Sequence, residues 1–590
     1  MPIRAQYRSA CGALLLVCGL ITPAFARADE PAADDAGTVP EVIDVPDAGE
    51  AAPVPPPAIA QAPVAPAPTV TFDLHASYRL IGSEQSDLQL GQSGSGAAET
   101  LGHRFFFEHQ LRVGGRLAFP KQDVEVLLDA DLVKGLFSTG GTDGVLPVPA
   151  VPAGGVEQPL VADPLRNRAY AFDPSSFALR QLMVKWKTKY ALLSLGATTF
   201  NFGMGVLANN AGTFEDPGFD AALGDQRFGD RVVRAAISTR PGELFGTPGG
   251  LASKFIVSLA ADLVLEDSTA TLVRPLDQWR AKGVFADRAV GGLLALVFRD
   301  TDGEAALIVT RRSIFFSDTQ PLDAFVTKGF GTDLSAWAFD LAADGHHKMD
   351  SGLELKGAFE GTLVVGNTNH VRNDSCPGVT DAQRCNVIQG GLAARAGFSY
   401  GILSADLLGG YASGDANPFD DQVTNFKLAR DFQAGFILFD QVIAWQSAAQ
   451  VRRASDPLLT NAPPAGVELL STNGSVTNAV FLQPTLKVRV IPELTLLASV
   501  LWARASVPYE DAMWTTRAGK PTNAFGQHAG LNYGVELDAG ANFKKKLGAV
   551  TAHAGLAVGV LLPGDAFLVD ATGRTMDAVH RVKVRLGVWF

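Results

Sequence analysis

The chain has 590 residues, of which 47% are hydrophobic and 19% charged, with a formal net charge of −12. Such an acidic balance argues against nucleic acid as a partner. After the first thirty residues no apolar run approaches the roughly 18–20 residues of a membrane-crossing helix, which argues against an inner-membrane helical protein.

The N-terminus reads as an export signal over residues 1–26. Arg4 and Arg8 precede the apolar run Cys11 to Leu20, and Ala24-Phe25-Ala26 fits an A-x-A cleavage site, with cutting after Ala28 as the other option. Residues 27–68 are rich in Pro, Ala and acids and contain no aromatic residue. A segment of that composition buries too little apolar surface to fold, so it is expected to be a disordered periplasmic spacer or tether.

From Thr69 to Phe590 the polar and apolar residues alternate with period two. Arg104, Glu108, Gln110, Arg112, Gly114 and Arg116 share one face, against Phe105, Phe107, His109, Leu111 and Val113 on the other. Asp123, Glu125, Asp129 and Asp131 likewise alternate with Val124, Val126, Leu128 and Ala130. A soluble sandwich also alternates. Here, however, segments of about 11–17 residues, joined by turns that are short at one end and long at the other, match tilted membrane-crossing strands.

Strands are predicted over 70–83, 103–119, 122–137, 176–188, 190–204, 229–241, 253–267, 288–300, 303–316, 334–344, 350–368, 387–400, 402–413, 475–490, 493–506, 531–546, 548–562 and 580–590. The fold class is therefore all-β: a transmembrane antiparallel barrel of about eighteen strands, with sixteen to twenty as the range. The range reflects the apolar stretch 432–445, placed in the long loop 414–474, which needs a partner strand if it crosses the membrane. An even count puts both termini in the periplasm. The last strand alternates throughout and ends on Phe590, the form in which outer-membrane proteins present themselves to the barrel-assembly machinery. The implied surroundings are outer-membrane lipid and lipopolysaccharide.

Two cysteines fall within the signal. Cys376 and Cys385 lie in a polar stretch with Pro377 and Gly378, where an exported protein is expected to form a loop disulfide, two free thiols being the alternative.

Segment 409–439 (GGYASGDANPFDDQVTNFKLARDFQAGFILF) resembles a motif of the alginate-export family of outer-membrane porins. So does 531–567, where NYGVELDAGANF leads through a glycine-rich strand to Leu562-Pro563-Gly564-Asp565-Ala566-Phe567. The resemblance is strongest over the C-terminal third. It implies an eighteen-stranded barrel passing a polar or anionic solute, alginate in the namesake.

Alternation assigns two sets of charges to the lumen. The basic set is Arg104, Arg112, Arg116, Arg234, Lys356, Arg395, Lys487, Arg489, Arg581, Lys583 and Arg585. The acidic set is Glu108, Asp123, Glu125, Asp129, Asp131, Glu354, Glu360, Asp406, Glu536 and Asp538. On the lipid face each would cost about 2–4 kcal/mol near the midplane. Three readings stay open: a basic ladder attracting carboxylates, ion pairs stiffening the wall, or a generally polar lumen.

Loop Ser413 to Asp421 carries carboxylates that suit Ca²⁺, although the spacing is not that of an EF-hand and an extracellular turn is the other reading. His346 and His347 fall in an expected turn and do not by themselves make a metal site. No G-x-S-x-G or H-E-x-x-H motif occurs, so no catalytic residue is assigned. The reading is a channel for a polar, anionic solute or polysaccharide. Its alternative is a structural or adhesive barrel that binds partners through long loops or the periplasmic linker.

Overall fold

The computed structural model describes residues 70–136, 177–212, 223, 229–246, 250–266, 288–315, 334–368, 385–417, 420–454, 459 and 470–590. The expected signal and acidic segment, Cys376, and the expected loops 138–175, 267–287 and 317–333 lie outside these.

The strands are β1 (Thr71–Gln85), β2 (Arg104–Phe119), β3 (Val124–Leu136), β4 (Ala178–Lys187), β5 (Leu192–Thr199), β6 (Arg231–Thr239), β7 (Phe255–Glu266), β8 (Arg288–Asp300), β9 (Gly303–Phe315), β10 (Leu334–Lys348), β11 (Glu354–Thr368), β12 (Cys385–Tyr400), β13 (Leu403–Ala412), β14 (Ala479–Ile491), β15 (Leu494–Arg504), β16 (Asn532–Leu547), β17 (Val550–Pro563) and β18 (Val579–Trp589). Each pairs antiparallel with its chain neighbours, and β18 pairs with β1, Ser77 opposite Trp589 and Gln85 opposite Arg581. The ring is closed, so the sheet has no free edge. Phe590 completes the closure: its N–H donates to the carbonyl of Ala76 at 3.1 Å. A two-residue stretch, Gln422–Val423, adds in parallel to Asn386–Val387.

Alternation follows from the two environments of the wall. Along β18, Arg581, Lys583 and Arg585 are buried while Val584, Leu586 and Val588 are exposed. The same outward apolar face appears at Leu294 and Leu296 of β8, Trp337, Phe339 and Leu341 of β10, and Leu482 and Leu486 of β14. A closed barrel with an apolar outer face satisfies its backbone internally and presents lipid with hydrocarbon; this is the architecture of a membrane-spanning β-barrel.

The two rims differ. At one, the turns are 120–123, 188–191, 301–302, 349–353, 401–402, 492–493 and 548–549, with a longer connection at 240–254. The chain's first and last strands also begin and end there. Connections at the other rim are long, such as 86–103, 413–478 and 505–531. β10 runs to Lys348, four residues beyond its expected end, so His346 and His347 pair with Lys356 and Leu355 within the sheet instead of forming a turn.

The expected extracellular loop 414–474 corrects itself in part. Its apolar stretch does not cross the membrane as a strand. Residues from Phe426 onward enter the barrel, where Leu438–Ile443 wind as a π-helix that continues into α1 (Ala444–Ala454). Phe432, Phe436, Ile437, Phe439, Val442 and Trp445 are buried there against inward residues of the wall, among them Phe481, Leu501 and Leu561. Leu88, Leu90 and Leu101 from 86–103, and Phe525 from 505–531, join the same core. Apolar side chains inside a polar-walled barrel thus find burial by clustering on one another, at about 25 cal/mol per Å² removed from water.

Candidate functional site

The site forms where the inward segment meets the wall. Gly435 makes the bend (φ 72°), and a Cβ there would lie 2.6 Å from Cδ2 of Leu501 and 2.9 Å from Oε1 of Glu536. This position needs glycine both for its left-handed backbone and for the close approach. Just beyond the bend, the Glu536 carboxylate on β16 accepts three successive backbone N–H groups: Phe436, Ile437 at 2.9 Å and Leu438 at 2.7 Å. Leu438 opens the helical stretch, whose first N–H groups find no partner within it, and a carboxylate is their natural acceptor.

A second buried carboxylate holds a second inward loop. Glu360 on β11 accepts the N–H groups of Val206 and Leu207, each at 3.0 Å. The expected loop 205–228 is therefore drawn into the lumen over residues 205–212. The two inward segments touch: the Ala429 N–H donates to the Val206 carbonyl at 2.8 Å, and the Gly229 N–H to Asp431 at 2.7 Å.

Basic side chains converge beside this junction. Arg581 on β18 donates through one nitrogen to the Phe436 carbonyl and to Asp440, both at 2.7 Å. Its guanidinium sits 4.6 Å above the Phe436 ring, and the Lys583 ammonium lies 5.0 Å from the same ring. Lys583 also donates to the Leu223 carbonyl. Together with Arg430, Gln433 and Gly474 these residues line a cavity of about 20 Å³, room for a water molecule or so. The Asp440 side chain remains more than a third exposed.

Most other expected lumenal charges pair within the wall. Arg112 donates to Asp131 at 2.8 Å and lies 4.0 Å from Asp129, and Arg180 lies 3.5 Å from Asp129 and 3.7 Å from Asp131. Gln110 donates to Asp131 at 2.8 Å and accepts from Arg79 at 2.6 Å, extending the network across β1 to β4. Arg234 grips Asp262 in bidentate fashion at 2.7 and 2.8 Å, its guanidinium 4.3 Å from the Phe200 ring. Arg116 pairs with Glu125, Lys487 with Asp406 at 3.5 Å, and Lys356 with Glu354 at 4.0 Å. Glu108, Asp538 and Arg585 are buried on the inward face, and Arg395 and Arg489 are exposed near the short-turn rim. Arg104 opens β2 opposite Gln85. Asp123 departs from its expected place: it stands in the turn before β3, φ 51°, where its carbonyl accepts the Lys187 N–H, and so it belongs to the rim and not to the inward face.

Several residues escaped the sequence reading. Arg180 did so because a β-bulge between Asp129 and Ala130 of β3 breaks the pairing with β4, and alternation alone cannot locate a bulge. Arg430 and Asp440 belong to the inward segment, which has no period-two pattern. Arg453, at the end of α1, donates to Asp511 at 2.7 Å and Glu99 at 2.9 Å, joining three long-rim connections at the mouth. The carboxylates of the expected Ca²⁺ loop cap their own turns: Asp415 accepts from Asn417 and Thr424, and Asp420 from Gln422.

No family model and no curated protein sequence matches this chain. Solved structures of similar fold include the outer membrane protein OpdK of Pseudomonas aeruginosa, at 9% identity and a TM-score of 0.42, over 88% of this chain and 99% of that one. Another is OccK2 (OpdF) of the same organism, solved in complex with glucuronate, at 10% identity and 0.41, over 88% and 97%. A structure of OpdK with vanillate gives 9% and 0.43, over 88% and 98%.

Proposed function

We propose that this barrel is an outer-membrane channel that passes a polar, anionic solute without covalent chemistry. The observation that carries the reading is the grouping of Arg430, Arg581 and Lys583 around the junction of the inward segment with β18. Fixed cations at a narrow, partly desolvated point select anions, and guanidinium matches carboxylate geometry.

The finer reading, an alginate-like uronate polymer as cargo, draws on the two segments that resemble alginate-export porins. They meet in three dimensions. Glu536 of 531–567 holds Phe436 to Leu438 of 409–439, so the resemblance covers one structural device. In this role the short-turn rim and both termini face the periplasm, β18 with Phe590 is presented to the barrel-assembly machinery, and the outer face meets lipid and lipopolysaccharide. Cys385, buried where β12 leaves the long-loop rim, would then pair with Cys376 outside the cell.

The test is conductance of the refolded barrel in planar bilayers, with reversal potentials measured across a salt gradient. Anion preference is expected, reduced in an Arg581→Gln and Lys583→Gln double variant. Confirmed folding without conductance would sink the channel reading.

A further inference from the structure

The short-turn rim carries one connection unlike its neighbours. Between β6 and β7, residues 240–246 and 250–254 form a small knob in which the helical turn Pro241–Leu244 packs on the 3₁₀ turn Leu251–Lys254. The contact is close: a Cβ on Gly242 would fall 2.5 Å from the Ser253 nitrogen. Having an internal contact of its own, the knob is a built element and not a slack loop. Yet it leaves its large apolar side chains outside. Phe245 is 79% exposed, more than any other large apolar residue described, and Leu251 is 69% exposed.

The polar groups of the knob are engaged with one another or with the rim. Arg240 lies 3.8 Å from Glu243, Lys254 pairs with Asp300 of β8, and the neighbouring Thr239 hydroxyl donates to the Tyr190 carbonyl at 2.6 Å. The apolar surface is also continuous with the lipid-facing wall. Ile237 of β6 and Leu259 of β7 are exposed on the outward face of the two strands that the knob joins. Phe255, where the chain re-enters the wall, packs its ring at a tilt against Phe298, with the centroids 5.2 Å apart. On the adjacent hairpin, Trp186 and Tyr190 are half exposed, with the Lys189 ammonium 5.1 Å from the Tyr190 ring.

Aromatic and aliphatic side chains at a barrel rim, flanked by Lys and Arg, are the composition that settles at the boundary between acyl chains and headgroups. We propose that this knob is an interfacial anchor, with Phe245 and Leu251 seated in the headgroup-proximal layer of the bilayer at the short-turn rim. The inference rests on the barrel spanning a membrane, and continuity with the outward wall selects lipid over a soluble partner as the occupant.

The test uses the full barrel folded into phosphatidylcholine vesicles, with folding verified by heat-modifiable migration on gels. Phe245→Trp and Leu251→Trp variants are compared with the parent, using lipids brominated either near the headgroup or deep in the acyl chain. The added emission is expected to be quenched more strongly by the shallow bromines. Trp337 and Trp502, on the outward wall, serve as the internal control for membrane insertion. If they are quenched and the added tryptophans are not, while aqueous iodide reaches the latter, the anchor is overturned and the barrel reading stands. If the wall tryptophans also escape quenching, both fail. Shielding of the added tryptophans that depends on protein density in the vesicle would assign the knob to a second copy and overturn the lipid assignment.

Discussion

The carboxylate of Glu536 accepts the backbone N–H of Leu438 at 2.7 Å, fastening the inward segment to the wall at its bend. Ile437 and Phe436 donate to the same carboxylate. Replacing Glu536 with Ala orphans three buried N–H groups, at about 1–3 kcal/mol for each left unpaired. The wall around it keeps its ladder of hydrogen bonds, so the barrel is expected to fold while the inward segment loosens. Single-channel recordings of Glu536→Ala should show larger or noisier conductance than the parent, with Glu536→Gln in between. Conductance and noise identical to the parent would show that the bend is held by its apolar core alone.

Arg112 and Arg581 are expected to separate stability from selectivity. Arg112 is almost fully buried between Asp129 and Asp131, and removing its charge leaves two buried carboxylates facing Arg180 alone. Breaking one partner of a buried pair costs about 3–5 kcal/mol, so Arg112→Ala should lower the urea midpoint of the refolded barrel and leave ion preference unchanged. Arg581→Gln combined with Lys583→Gln, which also breaks a buried pair, should in addition reduce anion preference in reversal-potential measurements. Loss of selectivity in Arg112→Ala with a parental midpoint would reverse the two assignments.

The contrast between these two arginines also shows what the sequence could and could not reveal. All eighteen strands were legible, one of them (288–300) to the residue, because lipid outside and polar groups inside force every wall strand to alternate. Lumenal partners were not legible. Arg112 reaches Asp131 through a register shift after Leu111, and a one-residue shift leaves no local mark in either strand. The inward segment was harder still. The run GFILFDQVIAW is apolar whether it crosses a membrane or fills a lumen, and only the tertiary setting decides. Glu360 and Glu536 were read as pore charges, whereas the structure has them spent on backbone N–H groups of loops distant in sequence.

At the mouth, Arg453 ties α1 to Asp511 and Glu99, and its side chain is almost completely buried. Arg453→Met keeps the bulk but leaves Asp511 without its cation and Glu99 with Arg452 alone, at 2.6 Å. The connections 86–103 and 505–531 should then be cleaved faster by added protease, while the wall strands stay protected. Because Asp511 also caps α2 (Ala512–Ala518) by accepting the Trp514 N–H at 3.1 Å, Asp511→Ala should accelerate cleavage further. Equal cleavage rates in parent and Arg453→Met would mean that the apolar core, not the ion pairs, closes the mouth.

Beside that network, burial pushes the Glu510 carboxyl up to about 8, helped by the negative charges of Asp415 and Asp511. Its packed form therefore holds a proton that the released loop gives up near the ordinary value of 4.5. Between those two values the packed state binds more protons than the open one, so packing is strongest at the acid end of the window. It weakens as pH rises towards about 8, beyond which the proton-linked contribution is gone. Hydrogen exchange of 505–531 should accordingly be slower at about pH 5 than at about pH 8, after correction for intrinsic rates. Glu510→Gln, neutral throughout, should flatten this dependence and protect the loop at the alkaline end. The same pH dependence in the Gln variant would assign the titration to another group at the mouth.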